Sequence, residues 1–240
     1  NLNSNAHLAF YGLYATINKD LLRSLGGKTI ISGEFEDSLV QLYQQLVGST
    51  FVSDSGLVSL KRQNFRKPKR SDLPNLNHYA KLINGKAQSI IVGYTEGTRG
   101  CKHICRHCPI VPVYNGRFFV VQPDVVMEDI RQQVEAGAEH ITFGDPDFFN
   151  GPGHALRLVE SFHQEFPNLT YDVTIKIEHL LAHREKLRLL AETGCLFVTT
   201  AVEEVDDEVL CRLEKSHTQA DFKEVVHATN AADLTLSPTF

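Results

Sequence analysis

The chain has 240 residues, of which 42% are hydrophobic and 22% are charged, so it is long and apolar enough to bury a sizeable core. Its net charge of −5 and pI of about 6.1 provide no overall positive charge that would attract nucleic acid or an anionic membrane surface. No apolar run approaches the roughly 20 residues of a membrane span, and the first residues show no signal-peptide pattern. Five cysteines, three of them clustered, do not resemble a secreted disulfide framework, which predicts a reducing, cytoplasmic compartment.

The first part of the chain predicts an alternation of strands and helices. The strands HLAFYGLYA and KTIISGEFE alternate with the helices INKDLLRSL and EDSLVQLYQQLVG, with glycines at the turns. We therefore predict that residues 1–59 are the C-terminal part of a small Rossmann-like α/β domain. The chain begins with Asn1 rather than Met and ends on the predicted strand LTLSPTF, so we expect it to be a piece of a longer protein, truncated at its C-terminus.

Residues 60–86 have a different composition and predict a linker. Prolines interrupt regular structure there, and the like charges repel one another. The basic residues are Lys61, Arg62, Arg66, Lys67, Lys69 and Arg70. Such a run can also bind nucleic acid, but it has no regular aromatic interleaving, and a solvated linker is the favoured interpretation.

Residues 87–240 predict a more regular α/β alternation. Five strands are expected, namely SIIVGYTEG, HITFGDPDFF, TYDVTIKIE, CLFVTTAVEE and LTLSPTF, and helical segments separate them. The first of these helices, PDVVMEDIRQQVEAG, has Val126, Ile130 and Val134 at helical spacing and Gly137 at its C-terminal end. Strands separated by helices predict a parallel sheet, which an open doubly wound fold and a barrel both satisfy.

The third predicted strand favours the barrel. In TYDVTIKIE, apolar residues occupy one face, while Asp172, Thr174, Lys176 and Glu178 occupy the other. A central strand of an open α/β sheet is normally apolar on both faces, whereas a strand lining the upper lumen of a barrel can be polar on one. An edge strand wetted on one side remains the alternative.

Three cysteines lie at the spacing C-x3-C-x2-C in the loop after the first barrel strand. Cys101, Cys105 and Cys108 are therefore expected at the C-terminal face of the barrel, where such folds carry their chemistry. Cys195 begins a strand at the opposite end and is not expected to complete the set, and Cys211 lies on an amphipathic helix. Three thiolates bind either zinc, with a histidine such as His103 or His107 as fourth ligand, or an iron–sulfur cluster with one open iron.

The stretch TEGTRGCKHICRHCP resembles the signature of the radical S-adenosylmethionine (SAM) superfamily. In that family the motif binds a [4Fe–4S] cluster in a partial (β/α)6 barrel, the amino and carboxylate groups of SAM bind the open iron, and reductive cleavage gives a 5′-deoxyadenosyl radical. The resemblance implies that Cys101, Cys105 and Cys108 are the cluster ligands. It also implies that His107, at a position that is usually aromatic, lies near the adenine.

Other segments extend the resemblance to residues 89–240. FGDPDFF matches the place of a Gly-Gly-Glu stretch that contacts the SAM amino group, which implies cofactor binding by Gly144, Asp145 and Asp147. TAVEEVDDEVLCRLEKSHT is similar to a segment whose carboxylate reaches the SAM ribose or methionine end, which implicates Glu203, and Lys176 is expected to pair with the SAM carboxylate. The alternatives are an acidic turn fixed by Pro146 and, for Glu203, a helix-start carboxylate.

The region before the barrel is similar to the cobalamin-binding domain and linker that precede many radical SAM barrels. The chain has no D-x-H-x-x-G motif for a lower cobalamin ligand. The resemblance therefore leaves the binding of cobalamin open. The stretches GCKHICRHCPIVPVYNGRFFVVQPDVV and HITFGDPDFFNGP also resemble a bacterial radical SAM group named for a Cys-Cys (or selenocysteine)-Ala-Glu-Pro tail.

Three functions follow from these patterns. The first is a radical SAM enzyme acting on a small-molecule or peptide substrate, with an electron donor such as flavodoxin or ferredoxin and no membrane partner. The others are a non-catalytic zinc module and a radical SAM methylthiotransferase or methyltransferase that modifies RNA. The overall charge disfavours nucleic acid as a partner.

Overall fold

The structure, a computed structural model, describes residues 3, 5–48, 58–83 and 88–240. Residues 49–57 of the predicted first domain and residues 84–86 of the predicted linker lie outside the described residues. The chain divides into two compact units, of which one comprises residues 1–63 and 102–117, and the other comprises residues 64–101 and 118–240. In the described part of the chain, no helix combines the length and apolar character that a membrane span requires.

In its described residues, the first unit contains a three-stranded parallel sheet and four helices. Its elements are β1 (Ala9–Tyr11), α1 (Leu13–Ile17), α2 (Lys19–Ser24), β2 (Thr29–Gly33), α3 (Glu36–Val47), β3 (Val58–Ser59) and α4 (Val111–Tyr114). The strands lie in the order β1-β2-β3. The predicted strand HLAFYGLYA is too long, because Gly12 has φ +97 and ends the strand at Tyr11. The predicted helix INKDLLRSL corresponds to α2, whereas α1 lies where the predicted strand was expected to continue. A Rossmann-like or cobalamin-binding-like domain stays a prediction.

In its described residues, the second unit contains a six-stranded sheet, a two-stranded sheet and six α-helices. Its elements are β4 (Lys81–Ile83), β5 (Ser89–Thr95), β6 (Thr98–Gly100), β7 (Phe118–Val120), α5 (Pro123–Glu135), β8 (His140–Phe143), α6 (Pro152–Glu165), β9 (Thr170–Thr174), α7 (Ile177–Ala182), α8 (Leu187–Glu192), β10 (Cys195–Ala201), α9 (Asp207–Arg212), α10 (Gln219–Ala231) and β11 (Thr235–Thr239). The predicted helix α5 is confirmed, with Val126 and Ile130 buried and Gly137 at φ +94 just after its end.

The order of the strands decides between the open sheet and the barrel. The sheet runs β11-β10-β9-β8-β5-β4, so each parallel strand pairs with the next one along the chain, and only β4 is antiparallel. A doubly wound sheet reverses its strand order at a switch point, whereas consecutive right-handed crossovers keep the helices on one face. The sheet is a curled half-barrel, which confirms the predicted α/β barrel class.

An aromatic cluster lies between the sheet and helix α6. The rings of Phe162 and Tyr171 are 5.4 Å apart between centroids, and Phe143 lies 5.7 Å from Tyr171 and 5.0 Å from Phe148. All four side chains are essentially inaccessible to solvent. Because aromatic pairs add attraction beyond the area they bury, this cluster fixes the helix against the sheet.

The third barrel strand is shorter than predicted. It ends at Thr174, and Lys176 precedes helix α7, which contains Glu178. Ile175 and Ile177 are buried, so the apolar alternation continues across the strand end and conceals it. The prediction that Lys176 and Glu178 lie on the strand is therefore wrong. The helical segment expected between this strand and the next, AHREKLRLLAETG (residues 182–194), forms a 3₁₀ turn and α8, and α7 precedes it.

Part of the predicted basic linker packs on the second unit. The guanidinium of Arg70 forms two hydrogen bonds to the Asp129 carboxylate, of 2.7 and 2.8 Å, and a third of 2.8 Å to the backbone oxygen of Tyr94. Leu76, which also belongs to the predicted linker, is buried. Strand β4, at the C-terminal end of the linker, pairs with β5. Bidentate pairing compensates the guanidinium charge. The part of the predicted linker around Arg70 is therefore packed against the barrel unit instead of being solvated.

Candidate cofactor site

The C-terminal ends of the parallel strands meet at one edge of the half-barrel. In parallel sheets that edge receives the loops that carry ligands. The loops after β5, β8, β9 and β10 contain most of the residues that the sequence singles out. Of these residues they contribute Gly144, Asp145, Asp147, Lys176 and Glu203, and the loop after β5 adds Glu96, which the sequence did not single out.

Cys101 directly follows a short hairpin in the second unit. Strand β6 pairs antiparallel with β7, and Gly100 has φ +77, a conformation that favours glycine. The side-chain amide of Asn150 donates a 3.2 Å hydrogen bond to the Gly100 oxygen. Cys101 is 8% exposed, so the backbone that precedes it is held in place and its thiol is largely shielded from water.

Cys105 and Cys108 share one tight turn in the first unit. The backbone N–H of Cys108 donates to the oxygen of Cys105 at 3.2 Å, and the N–H of Val111 donates to the oxygen of Cys108 at 3.3 Å. Cys105 is buried, Cys108 is partly exposed, and His107 between them is exposed. The turn provides two thiols three residues apart, as expected for ligands of one metal centre.

The remaining cysteines have different surroundings. Cys195 is buried at the beginning of β10, and burial, with a smaller contribution from the Asp172 carboxylate, raises the pKa of its thiol. Cys211 is exposed on α9. A thiol whose pKa is raised is a poor source of thiolate, and Cys195 begins a strand whose other end meets the edge that carries the candidate site.

Asp145 holds the loop that leads to Cys101. Its two carboxylate oxygens accept hydrogen bonds from the backbone N–H of Gly97 at 2.8 Å and from the hydroxyl of Thr98 at 2.6 Å. The residue is 2% exposed, and burial raises the pKa of its carboxyl to about 7 although both hydrogen bonds lower it. The carboxyl therefore fastens the loop after β8 to the loop after β5.

The raised pKa of Asp145 predicts that stability falls as pH rises. The folded state keeps the proton up to about pH 7, whereas the unfolded chain loses it near pH 4, so the stabilisation present at low pH is lost as pH rises through 7. We expect Asp145→Asn, whose amide can still bond to both partners, to flatten this dependence in chemical denaturation at pH 5.5, 7 and 8.5. Asp124→Asn changes an exposed carboxylate and is the control. Equal pH slopes for the wild type and Asp145→Asn would contradict the assignment.

Gly144 allows Tyr94 to lie over the end of strand β8. A Cβ atom at position 144 would be 1.8 Å from the Tyr94 hydroxyl oxygen, so no other residue fits without displacing the ring. The hydroxyl donates to Glu96 at 3.2 Å. Gly144 thus acts through close packing, and a direct contact with a cofactor stays a prediction.

Asp147 pairs with a histidine that sequence analysis did not identify. One carboxylate oxygen accepts the backbone N–H of Phe149 at 3.1 Å, and the other lies 2.6 Å from Nδ1 of His179 on α7. Asp147 is fully buried, and His179 is 6% exposed. Only the fold brings these residues together, since they are 32 positions apart and no motif joins them.

Two ion pairs lie at the ends of β9 and β10. Lys176 contacts Glu178 at 2.6 Å, and Lys215 contacts Glu203 at 3.2 Å, with side-chain exposures of 9%, 17%, 3% and 30%. Burial is the main cause that lowers the pKa of His217. The charge of Glu178 raises this pKa, whereas the charges of Lys215 and Lys176 lower it further. Sequence analysis noted the segment EKSHT but did not single out Lys215 or His217.

The backbone at Glu203 has an unusual conformation. Its φ is +69, in the left-handed region that residues other than glycine seldom adopt. The backbone N–H groups of Val202 and Glu203 both donate to the oxygen of Thr239, at 2.9 and 3.1 Å, which stabilises this geometry. Strained residues of this kind concentrate at functional sites, and this one directs a carboxylate at the edge of the half-barrel.

The chain matches one family model over more than half of its length. The model is described as the radical SAM superfamily and matches residues 95–237. Among curated proteins, the chain is similar to the hopanoid C-3 methylase of Methylococcus capsulatus, with 27% identity over 120 residues that make up 50% of this chain and 23% of the methylase.

Solved structures of similar fold include two of the radical SAM methyltransferase TsrM from Kitasatospora setae. The structure with tryptophan substrate and a SAM analogue matches at a TM-score of 0.71 and 17% identity, covering 98% of this chain and 49% of TsrM. The structure with cobalamin and a [4Fe–4S] cluster matches at 0.72, covering 98% and 51%. The cobalamin-dependent SAM radical enzyme OxsB, with aqua-cobalamin and SAM bound, matches at 0.64 and 13% identity, covering 95% and 35%. The chain thus spans about half of the length of TsrM and less than half of the length of the methylase and of OxsB. The likenesses to the solved structures concern the fold alone.

Proposed function

The chain belongs to the radical SAM superfamily, whose members are enzymes, and we propose that Cys101, Cys105 and Cys108 bind a [4Fe–4S] cluster at which SAM is reductively cleaved. The family implies both cofactors. When bound, the cluster supplies the electron that cleaves the sulfonium of SAM and yields a 5′-deoxyadenosyl radical, which abstracts a hydrogen atom from the substrate.

The donor set is the observation that carries this proposal. Three thiols at C-x3-C-x2-C spacing suit a cluster that keeps one iron open, whereas structural zinc sites are usually closed by four protein ligands. Two of the thiols share one turn, and Gly100 and Asn150 fix the backbone before the third. A non-catalytic zinc module would need a fourth ligand such as His103 or His107.

The side chains at the strand ends would bind and orient SAM. We assign Lys176 and Lys215 to the SAM carboxylate and Glu203 to the ribose or the amino group, because opposite charges in a partly buried site attract strongly. Asp145 and Asp147 would support the loops, since their oxygens already accept hydrogen bonds from the protein or face His179. His107 remains the proposed adenine neighbour.

Methyl transfer with cobalamin is a second candidate. The likeness to TsrM covers 98% of the chain, which includes the three-stranded sheet before the barrel as well as the barrel strands. We infer that this sheet contributes to a cobalamin-binding domain in the whole protein. A lower ligand of the D-x-H-x-x-G type would have to come from elsewhere, because the sequence has none. The cytoplasmic location and the flavodoxin or ferredoxin electron donor stay proposals.

The test of the proposed function is the cleavage of SAM without substrate. We expect the anaerobically reconstituted protein, reduced with dithionite, to convert SAM slowly into 5′-deoxyadenosine and methionine, because substrate binding normally completes the closed site. Liquid chromatography of both products and iron and sulfide analysis measure the outcome. The test is best made on the full-length protein. A colourless, zinc-loaded protein that forms no 5′-deoxyadenosine would support the zinc module instead.

A further inference from the structure

The two faces of the half-barrel sheet differ sharply in polarity. The outer face packs on the helices through residues such as Ile141, Tyr171 and Val173, all fully buried. The inner face, defined as the opposite face of β8, β9 and β10, carries mostly polar side chains. They include His140, Thr142, Thr170, Asp172, Thr174 and Thr199, which the strand register places side by side. Such a face suits a polar ligand.

A hydrogen-bonded His–Asp pair lies on the inner face, toward the N-terminal ends of β8 and β9. His140 Nε2 lies 2.8 Å from Asp172 Oδ1, and its Nδ1 lies 2.8 Å from the hydroxyl of Thr170. The hydroxyl of Thr142 donates to the same Oδ1 at 2.6 Å. The ring of Phe197 stacks on His140 with centroids 6.3 Å apart. The imidazole and the carboxylate are therefore held rigidly.

One oxygen of this carboxylate is left available. Both protein hydrogen bonds reach Oδ1, and among the described residues none reaches Oδ2 of Asp172. Asp172 is 9% exposed, and its Oδ2 is not among the fully enclosed side-chain atoms, so a ligand can reach it. A ligand nitrogen that reaches this oxygen would form a charge-assisted hydrogen bond with it.

The charge of the strands indicates which donor would bind there. Asp172 is the only acidic residue in the five parallel strands β5, β8, β9, β10 and β11, and these strands contain no lysine or arginine. When Nδ1 accepts from the Thr170 hydroxyl, His140 donates from Nε2 as a neutral imidazole and leaves the carboxylate charge uncompensated. The same hydroxyl lies 3.4 Å from the backbone oxygen of Glu139, which is its other acceptor. The inner face therefore favours a cationic nitrogen over a neutral or anionic group.

We propose that Asp172 anchors a protonated amine of the substrate, with His140 as a positioning residue that orients the carboxylate. This inference rests on the proposed function, because it identifies the substrate class of the same half-barrel as a small molecule or peptide that carries an aliphatic amine. The outer face offers no such anchor, since its side chains form the apolar core.

The test compares three probes that differ at one group. Saturation-transfer NMR with benzylamine, benzyl alcohol and benzoate, on the cluster-loaded protein, measures their affinities. We expect benzylamine to bind at least about tenfold more tightly than benzyl alcohol, and benzoate more weakly than either. Similar affinities for benzylamine and benzyl alcohol in the wild type would overturn the proposal, whether or not any variant folds.

Variants locate the preference. Asp172→Asn is expected to abolish the preference for the amine, whereas Asp124→Asn, the same change at an exposed position, is expected to retain it. His140→Leu should reduce the preference and His140→Gln, which still offers an N–H donor, should restore part of it. An unchanged preference in a folded Asp172→Asn protein would overturn the assignment.

The measurement separates this site from the proposed function. A wild type that forms no 5′-deoxyadenosine but shows an Asp172-dependent amine preference would retain the anchor and refute SAM cleavage. A wild type that cleaves SAM but binds benzylamine and benzyl alcohol equally would refute the anchor alone.

Discussion

Alanine at Cys101, Cys105 or Cys108 is expected to abolish iron and sulfide binding, whereas Cys195→Ala is expected to leave both intact. Loss of one thiolate leaves a cluster with only two protein ligands, which is too few to hold it. Cys195 is buried at the beginning of a strand, and burial raises the pKa of its thiol. Iron and sulfide analysis and the visible absorption spectrum after anaerobic reconstitution measure the result.

Cys211→Ala is the control for this series, because Cys211 is exposed on a helix of the barrel unit. Circular dichroism of each variant separates loss of the cluster from loss of the fold. A folded Cys195→Ala protein without a cluster would show that the ligand assignment is wrong.

The second large effect is expected at the pair of Glu203 and Lys215. The Lys215 side chain is 3% exposed, so Glu203→Gln leaves a buried ammonium without this carboxylate, and we expect a loss of about 2 to 3 kcal/mol in the free energy of unfolding. Lys215→Met is expected to cost less, about 1 kcal/mol, because Glu203 is 30% exposed and water can solvate its charge. The melting temperature would fall by roughly 5 to 10 °C for Glu203→Gln.

A matched control comes from an exposed ion pair. Glu192→Gln disrupts the pair of Arg188 and Glu192, whose side chains are 69% and 61% exposed, and should change stability by less than about 0.5 kcal/mol. Isothermal titration with SAM on the same variants reports cofactor binding. If Lys215→Met is more destabilising than Glu203→Gln, the burial argument fails. Normal SAM affinity in both variants would remove the pair from the proposed cofactor site.

Most of the barrel could be predicted from the sequence because its elements have a clear period. The segment containing Val126 and Ile130 repeats every three to four residues, and the structure has the predicted helix there. The five parallel strands are also present. The cysteine spacing predicted the superfamily, since three thiols in eight residues form a local pattern that does not depend on the fold.

Short and irregular elements could not be predicted in this way. Strands β4, β6 and β7 have three residues each, which is too few to show an alternation. The end of β9 was missed because Ile175 and Ile177 continue its apolar alternation past Thr174. At Gly12 a positive φ ends a strand whose sequence pattern runs on.

The partners within the candidate site were also beyond the reach of the sequence. His179 meets Asp147, and Lys215 meets Glu203, only because the chain returns to the same edge of the sheet after a helix. The pair of His140 and Asp172 depends on the register between two parallel strands, in which Thr142 lies opposite Asp172. A single sequence contains no signal for such register.

The consecutive order of the parallel strands has a consequence for how the chain folds during synthesis. Paired residues on neighbouring strands are only 24 to 48 positions apart, as for His140 with Thr170, so each new strand finds its partner in the segment made just before it. A doubly wound sheet, in contrast, must leave an edge vacant until a distant strand emerges. Short loops close at low entropic cost, and domains fold as units from the N-terminal side as the chain is translated. The half-barrel can therefore grow on the ribosome by adding one strand and its helix at a time, with only its newest edge open to wrong pairing.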